Sequence, residues 1–331
     1  MHLRGTRWLL FVASVVLVAV TTYAQDKPLQ YLRVGSPNDV TTSTRAGFML
    51  IGGGKDIDAA FQWMCERSGG GDFLVLRASG TDAYNPYIRD LCKLNSVATL
   101  ILPSRAAAND PNAADQIRHA EAVFISGGDQ ANYVNFWKGT PVQTAINDAI
   151  KRGVPIGGTS AGLAVLGEFA FAALNDTAYS KVVLKDPFDK TVTLERGFLT
   201  IDQLKGIVTD THFAARDRLG RLLTFMARLL QDGWTRDAKA IAVDQEAAFA
   251  LDPSGKGTVM GKGAVYFLRA SDPPATCRAG APLTFSKIAV YKEAAGESFD
   301  LTVWKGDGGT AYELSVTDGV IASTQPGGSP Y

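Results

Sequence analysis

Histidine is scarce in this chain of 331 residues: there are three, against 33 basic and 33 acidic side chains and a formal net charge of zero at pH 7. So few histidines narrow the choice of a catalytic base, and the balanced charge gives no overall field that would favour nucleic acid or an anionic surface. Cysteine is equally sparse. Cys65, Cys92 and Cys277 form no CxxC pair, and no His/Cys cluster has zinc spacing. A Cys65–Cys92 disulfide is open to the chain in an oxidising compartment, and the odd count leaves one thiol over. Long apolar runs are missing beyond residue 20, so no later segment reaches the ~20 residues a membrane span needs.

The one long apolar run, residues 8–20, follows His2, Arg4 and Arg7 and precedes Thr22-Tyr23-Ala24. This is the pattern of a secretory signal peptide over residues 1–24, with an uncleaved anchor as the alternative. The expectation is an exported protein, periplasmic or extracellular, with no membrane association once the signal is removed. The roughly 300 residues that remain suffice for one large domain with an ample core.

Residues 25–45 read as a polar, irregular lead-in. Short apolar runs then alternate with helical stretches: 48–51, 73–76, 99–102, 122–125, 154–156 and 206–208. That rhythm indicates buried parallel strands in a layered α/β domain, largely parallel and flanked by helices, over residues 46–271. From about residue 240 the runs 241–243, 247–251, 258–260 and 264–268 crowd together, as antiparallel additions to the sheet would. Residues 272–331 form a strand-rich extension, with runs at 288–291 and 301–304, and the Gly/Pro/Ser-rich tail 324–331 reads as frayed.

Four polar blocks fall at expected carboxyl ends of strands: Gly52-Gly53-Gly54-Lys55-Asp56, Ser126-Gly127-Gly128-Asp129-Gln130, Gly158-Thr159-Ser160 and Asp210-Thr211-His212. In an open α/β sheet that edge is where ligands bind. Gly158-Thr159-Ser160-Ala161-Gly162, between a strand and a helix, fits the nucleophile elbow Gly-x-Ser-x-Gly. Such turns are often merely structural, but strand before, helix after and a place on the sheet edge favour a nucleophile. A serine needs a base. His2 lies in the signal segment and His119 at the end of a helical stretch, which leaves His212. The acid that would orient it stays open among Glu168, Asp176, Asp186, Asp189, Glu195 and Asp210. Arg216, Arg218 and Arg221 follow the histidine and suit a clamp for substrate carboxylates; as a surface helix with an Asp217–Arg221 pair they would do little.

Together these blocks resemble the cyanophycinase and aspartyl dipeptidase family of serine peptidases. The resemblance rests on Phe124-Ile125-Ser126-Gly127-Gly128-Asp129-Gln130, on Gly158 to Gly162, and on Asp210-Thr211-His212-Phe213 followed by Arg216, Arg218, Leu219, Gly220 and Arg221. It implies a class I glutamine amidotransferase-like fold. Ser160 would be the nucleophile, His212 its base, and Asp176 the acid with Glu168 in reserve. Backbone N–H groups of Ala161 and Gly128 would form the oxyanion hole, and Gln130, Asp210, Arg218 and Arg221 would hold the substrate. Where cyanophycinases usually carry glutamine between the aspartate and the histidine, this chain has Thr211.

The function so implied is an exported exopeptidase that cleaves β-aspartyl (isopeptide) bonds, foremost those of cyanophycin, to β-Asp-Arg dipeptides. It would need no metal or organic cofactor, and a homodimer is compatible with it. A broader isoaspartyl or aspartyl dipeptidase is the same-class alternative. From other classes come a carboxylic ester hydrolase and a non-catalytic exported binding protein.

Overall fold

A computed structural model describes His2 and residues 27–331. The signal-peptide segment falls, His2 apart, outside the described residues.

Two sheets organise the molecule, where the sequence suggests one. The first has ten strands, in the spatial order Gln30–Gly35, Ser96–Ile101, Asp72–Arg77, Ala122–Ile125, Ile156–Thr159, Phe48–Ile51, Ala247–Leu251, Lys256–Gly261, Ser298–Asp300 and Lys305–Asp307. Its centre, from Ser96–Ile101 to Phe48–Ile51, is parallel, and both margins are antiparallel. The second has eight strands: Val320–Ser323, Thr310–Thr317, Phe285–Glu293, Val265–Ala270, Ala238–Val243, Ile207–Thr211, Phe169–Phe171 and Leu194–Arg196. Only Ala238–Val243, Ile207–Thr211 and Phe169–Phe171 run parallel there. The largely parallel character expected therefore holds for the centre of the first sheet, and the protein as a whole is mixed α/β.

The short apolar runs have a direct physical cause. Side chains alternate across a strand, and here both faces are covered. Phe48 and Leu50 enter one core while Met49 and Ile51 enter another, and Leu74 and Leu76 part in the same way from Phe73 and Val75. In the second sheet Ile241, Val243, Val265 and Phe267 face the first sheet, whereas Ala240, Ala242, Tyr266 and Leu268 face outward. At roughly 1.5–3 kcal/mol for each large apolar side chain removed from water, this doubly covered pattern is strongly favoured. Phe249 of the first sheet meets Phe267 of the second, ring centroids 5.0 Å apart, and Phe267 stacks on Phe299 at 3.8 Å.

Helix Asp58–Arg67 covers the outer face of the first sheet through Phe61 and Met64, and helix Leu219–Gln231 covers the second through Leu222, Leu223, Phe225, Met226 and Leu229. A disulfide joins Cys65 in helix Asp58–Arg67 to Cys92, just after helix Tyr84–Leu91; Cys277 is a buried free thiol. Among the described residues no helix is long and apolar enough to cross a membrane.

Three local expectations are corrected. The lead-in contains the edge strand Gln30–Gly35, paired antiparallel with Ser96–Ile101. Residues 301–304 are a turn, because Asp300 Oδ1 accepts from the Thr302 N–H at 2.8 Å and its hydroxyl at 2.6 Å and bends the chain between Ser298–Asp300 and Lys305–Asp307. The tail is anchored: Tyr331 donates to Asp217, and Tyr312 donates to the Pro330 carbonyl. The strands after residue 272 extend both sheets, Phe285–Glu293 alongside Val265–Ala270 and Ser298–Asp300 alongside Lys256–Gly261.

Candidate active site

Ser160 follows strand Ile156–Thr159 and immediately precedes the short helix Ala161–Ala164. Its φ is +52°, a left-handed value that a non-glycine residue holds only when its surroundings over-determine it. They do. The Ser160 N–H donates to the Ile51 carbonyl at 3.1 Å, and the Ser160 carbonyl accepts from Ala164 N–H at 3.0 Å. The two flanking glycines are required by close approach. A Cβ on Gly162 would lie 2.0 Å from the Ile125 oxygen, and one on Gly158 would lie 2.6 Å from the Gly162 carbonyl. The motif is thus a strained elbow between adjacent parallel strands, with its serine at their carboxyl ends.

His212 arrives from the other sheet, directly after strand Ile207–Thr211. Its φ is +48°, and its N–H donates to the Gly52 carbonyl at 2.8 Å. The ring lies on the glycine turn: a Cβ on Gly53 would come within 2.4 Å of Cε1. Across the gap between sheets, Ser160 Oγ and His212 Nε2 are 2.8 Å apart. Burial, reinforced by the positive charges of Arg216 and Arg218 and eased by Asp210, lowers the imidazole pKa to about 4. The ring is therefore neutral at neutral pH, the state a general base needs.

None of the acids weighed from sequence holds the imidazole. Asp176 is corrected first: its carboxylate accepts from its neighbour's N–H, Thr177, at 2.6 Å. Glu168 accepts from Gly206 N–H, Asp186 from Phe188 N–H, Asp189 from Thr191, and Glu195 from Lys138. Asp210 pairs with Arg221. Nδ1 faces Gln245 instead, 2.8 Å from its Nε2. Gln245 lies just beyond strand Ala238–Val243, which is parallel to the histidine's own strand, so it reaches the same edge by the same rule. A search confined to acids between Ser160 and His212 passes over it, and an amide carries no charge to draw attention. Its position after a strand, in Asp244-Gln245-Glu246, was the available signal.

The amide has a chemical consequence. When its NH2 donates to Nδ1, the neutral ring carries its hydrogen on Nε2 and cannot take the serine proton. A half-turn of the carboxamide presents Oε1 to Nδ1–H and leaves Nε2 free to accept. Unlike a carboxylate, neither orientation supplies a full charge to an imidazolium.

Beside the pair opens a cleft of about 930 Å³, lined among others by Gly128, Gln130, Asp176, Arg216, Arg218 and Arg221. Gly127 adjoins the serine, a Cβ there standing 3.4 Å from Ser160 Cβ. Gln130 opens helix Gln130–Trp137, capped by Asp129, and donates to the Phe171 carbonyl at 3.3 Å. The expected arginine clamp is corrected in part. Arg221 is 3% exposed and Asp210 2%, and their contact is bidentate, Nε to Oδ2 at 2.8 Å and the terminal nitrogen to Oδ1 at 2.5 Å. A guanidinium so engaged braces the wall of the cleft. Arg218 donates to the Thr211 carbonyl and hydroxyl, both at 2.8 Å. His119 is exposed, after helix Pro111–Arg118, as the sequence suggests.

Residues 48–189 match the family model of Peptidase family S51. The chain is 25% identical over 305 residues to a cyanophycinase of Synechococcus elongatus, an alignment covering 86% of this chain and 88% of that one. It is 27% identical over 230 residues to a cyanophycinase of Geminocystis herdmanii, covering 65% and 79%. The resemblance read from the sequence motifs is to this same group. Among solved structures, a peptidase from an acI-B1 actinobacterium is 16% identical with a TM-score of 0.49, over 78% of this chain and 98% of that one.

Proposed function

We propose that this chain, similar to peptidases of family S51 and to cyanophycinases, is an exported serine exopeptidase that hydrolyses β-aspartyl bonds, with cyanophycin or its β-aspartyl peptides as substrate. The observation that carries the reading is the 2.8 Å approach of Ser160 Oγ to His212 Nε2, with a polar cleft lined by the neighbouring Gly128, Arg216 and Arg218. Ser160 Oγ attacks the carbonyl of the aspartyl unit as His212 Nε2 takes its proton. The oxyanion is held by backbone N–H of Ala161 and of the Gly127-Gly128 turn. The C–N bond then breaks, His212 returns the proton to the leaving amine, and an acyl-serine ester remains. Water, deprotonated by the same nitrogen, hydrolyses that ester.

Gln245 takes the third place in this proposal, as the group that sets the imidazole tautomer; Gln130, Arg216 and Arg218 face the substrate, with Arg221 and Asp210 behind them. The class I glutamine amidotransferase-like assignment belongs to the same reading. The Cys65–Cys92 disulfide supports export, since such bonds persist in oxidising compartments.

A specific observation favours a second reading: an amide where a carboxylate would stabilise imidazolium suits a chain that binds β-aspartyl peptides and turns them over slowly. One assay separates the two. Wild type and Ser160→Ala receive cyanophycin, β-Asp-Arg peptides, α-aspartyl dipeptides and a short ester. Release of β-Asp-Arg by wild type alone is expected; equal, background rates for both proteins, with saturable binding, would leave the binding reading.

A further inference from the structure

Helix Leu219–Gln231 starts directly after the arginine-bearing loop, and Arg218 at its N-cap provides no side-chain cap. The first N–H groups of a helix have no partner within it. For Leu219 the partner comes from 112 positions away: the Tyr331 hydroxyl accepts its N–H at 3.0 Å. The same hydroxyl donates to Asp217 Oδ1 at 3.0 Å. The ring stands edge-on to Phe213, centroids 5.4 Å apart, and to Tyr266, at 6.3 Å.

These contacts bracket the loop between the histidine and the helix. Phe213 follows His212, and Asp217 lines the cleft. His212 and Asp217 both have positive φ, +48° and +47°, so the loop begins and ends in a conformation that needs outside support. Tyr331 is itself fixed, its carbonyl accepting from Ser329 Oγ at 2.9 Å and from Gln325 Nε2 at 3.4 Å. Burial pushes its hydroxyl well above the usual tyrosine range, so it remains a donor.

We propose that Tyr331 is a positioning residue of the site: its hydroxyl caps the helix and holds the 212–219 loop, and with it the Asp217 wall of the cleft. The last turn of the extension is then part of the substrate cleft's framework without touching substrate. The effect on turnover rests on the peptidase reading above; the effect on the loop does not.

The test is Tyr331→Phe, which keeps the ring and removes only the hydroxyl. Hydrogen exchange of the ligand-free protein is expected to be about tenfold faster at Leu219 and faster across 213–219, with the Ala238–Val243 strand unchanged. With a β-Asp-Arg peptide, KM is expected to rise about fivefold while kcat stays within about twofold. Unchanged exchange at Leu219, or a loss confined to kcat, would overturn the proposal. Ser160→Ala run in parallel separates the two failures: if it hydrolyses the peptide as well as wild type does, the peptidase reading falls, and the exchange result still decides the role of Tyr331.

Discussion

Ser160 is fixed by its own neighbourhood, the glycines two residues to either side and the adjacent parallel strands, whereas His212 is fixed by residues drawn from Gly52 to Tyr331. The serine half is a local motif, and a side chain added at either of its glycines acts through backbone clash. The histidine half is an assembly, in which orientation, protonation and loop position come from separate parts of the chain. Two halves of one site can therefore differ in how they fail: the first all at once, the second by degrees.

The largest expected effect tests whether the halves act as one unit. His212→Ala should lower kcat by about 10²–10⁴, less than the ~10⁶ of a complete triad because the amide already forgoes part of it, and adding Ser160→Ala should cost little more, as measured by peptide release; a double loss equal to the product would separate them. Next comes Gln245→Glu. A carboxylate at Nδ1 fixes the productive tautomer and stabilises the imidazolium, so kcat should rise by about 10² or more, judged against the ~10⁴ lost when a triad aspartate becomes an amide. The same change raises the imidazole pKa, and the acid limb of kcat/KM should move upward from about pH 4. Arg221→Ala leaves buried Asp210 without its bidentate partner, with only Arg218 at 3.7 Å, and should destabilise the fold by about 3 kcal/mol in urea unfolding. Gly162→Ala, which sets a Cβ against the Ile125 oxygen, should cost about 1–3 kcal/mol and abolish turnover with it.

The smallest effect is electrostatic. His212 binds its proton less readily in the folded protein than in the unfolded chain, where its pKa is near 6.5. Stability attributable to it therefore rises as pH increases from about 4 to 6.5 and is constant above. Arg216→Ala removes a like charge, so the acid limb should shift upward, and a titration of the imidazole by NMR reads the shift directly. No shift would mean that Arg216 has no part in setting the value.

Legibility in the sequence follows the same division. The elbow could be read from residues 158–162 because its chemistry is local and its glycines are compulsory. The strands could be read because burial on both faces writes an unbroken apolar run. The partition into two sheets could not, since Ile207–Thr211 looks like any other buried strand and nothing local says which neighbours it pairs with. Gln245 was missed because an uncharged amide leaves no mark in a charge census. Asp176 attracted attention by lying between serine and histidine in the chain, but the fold sets it on the cleft wall with its carboxylate turned to its own backbone. At the tail the structure departs from the sequence expectation because composition reports the flexibility of Gly, Pro and Ser and is silent on one tyrosine that docks.

The meeting of Phe249 and Phe267 between the sheets gives the Ser160–His212 spacing a further meaning. The hydroxyl belongs to one sheet and the imidazole to the other, so turnover works as a gauge laid across the seam. Shaving either ring, which touches neither reacting atom, would let the two slabs settle by a fraction of an ångström. Such a lesion should register as lost rate while circular dichroism still reports an intact protein.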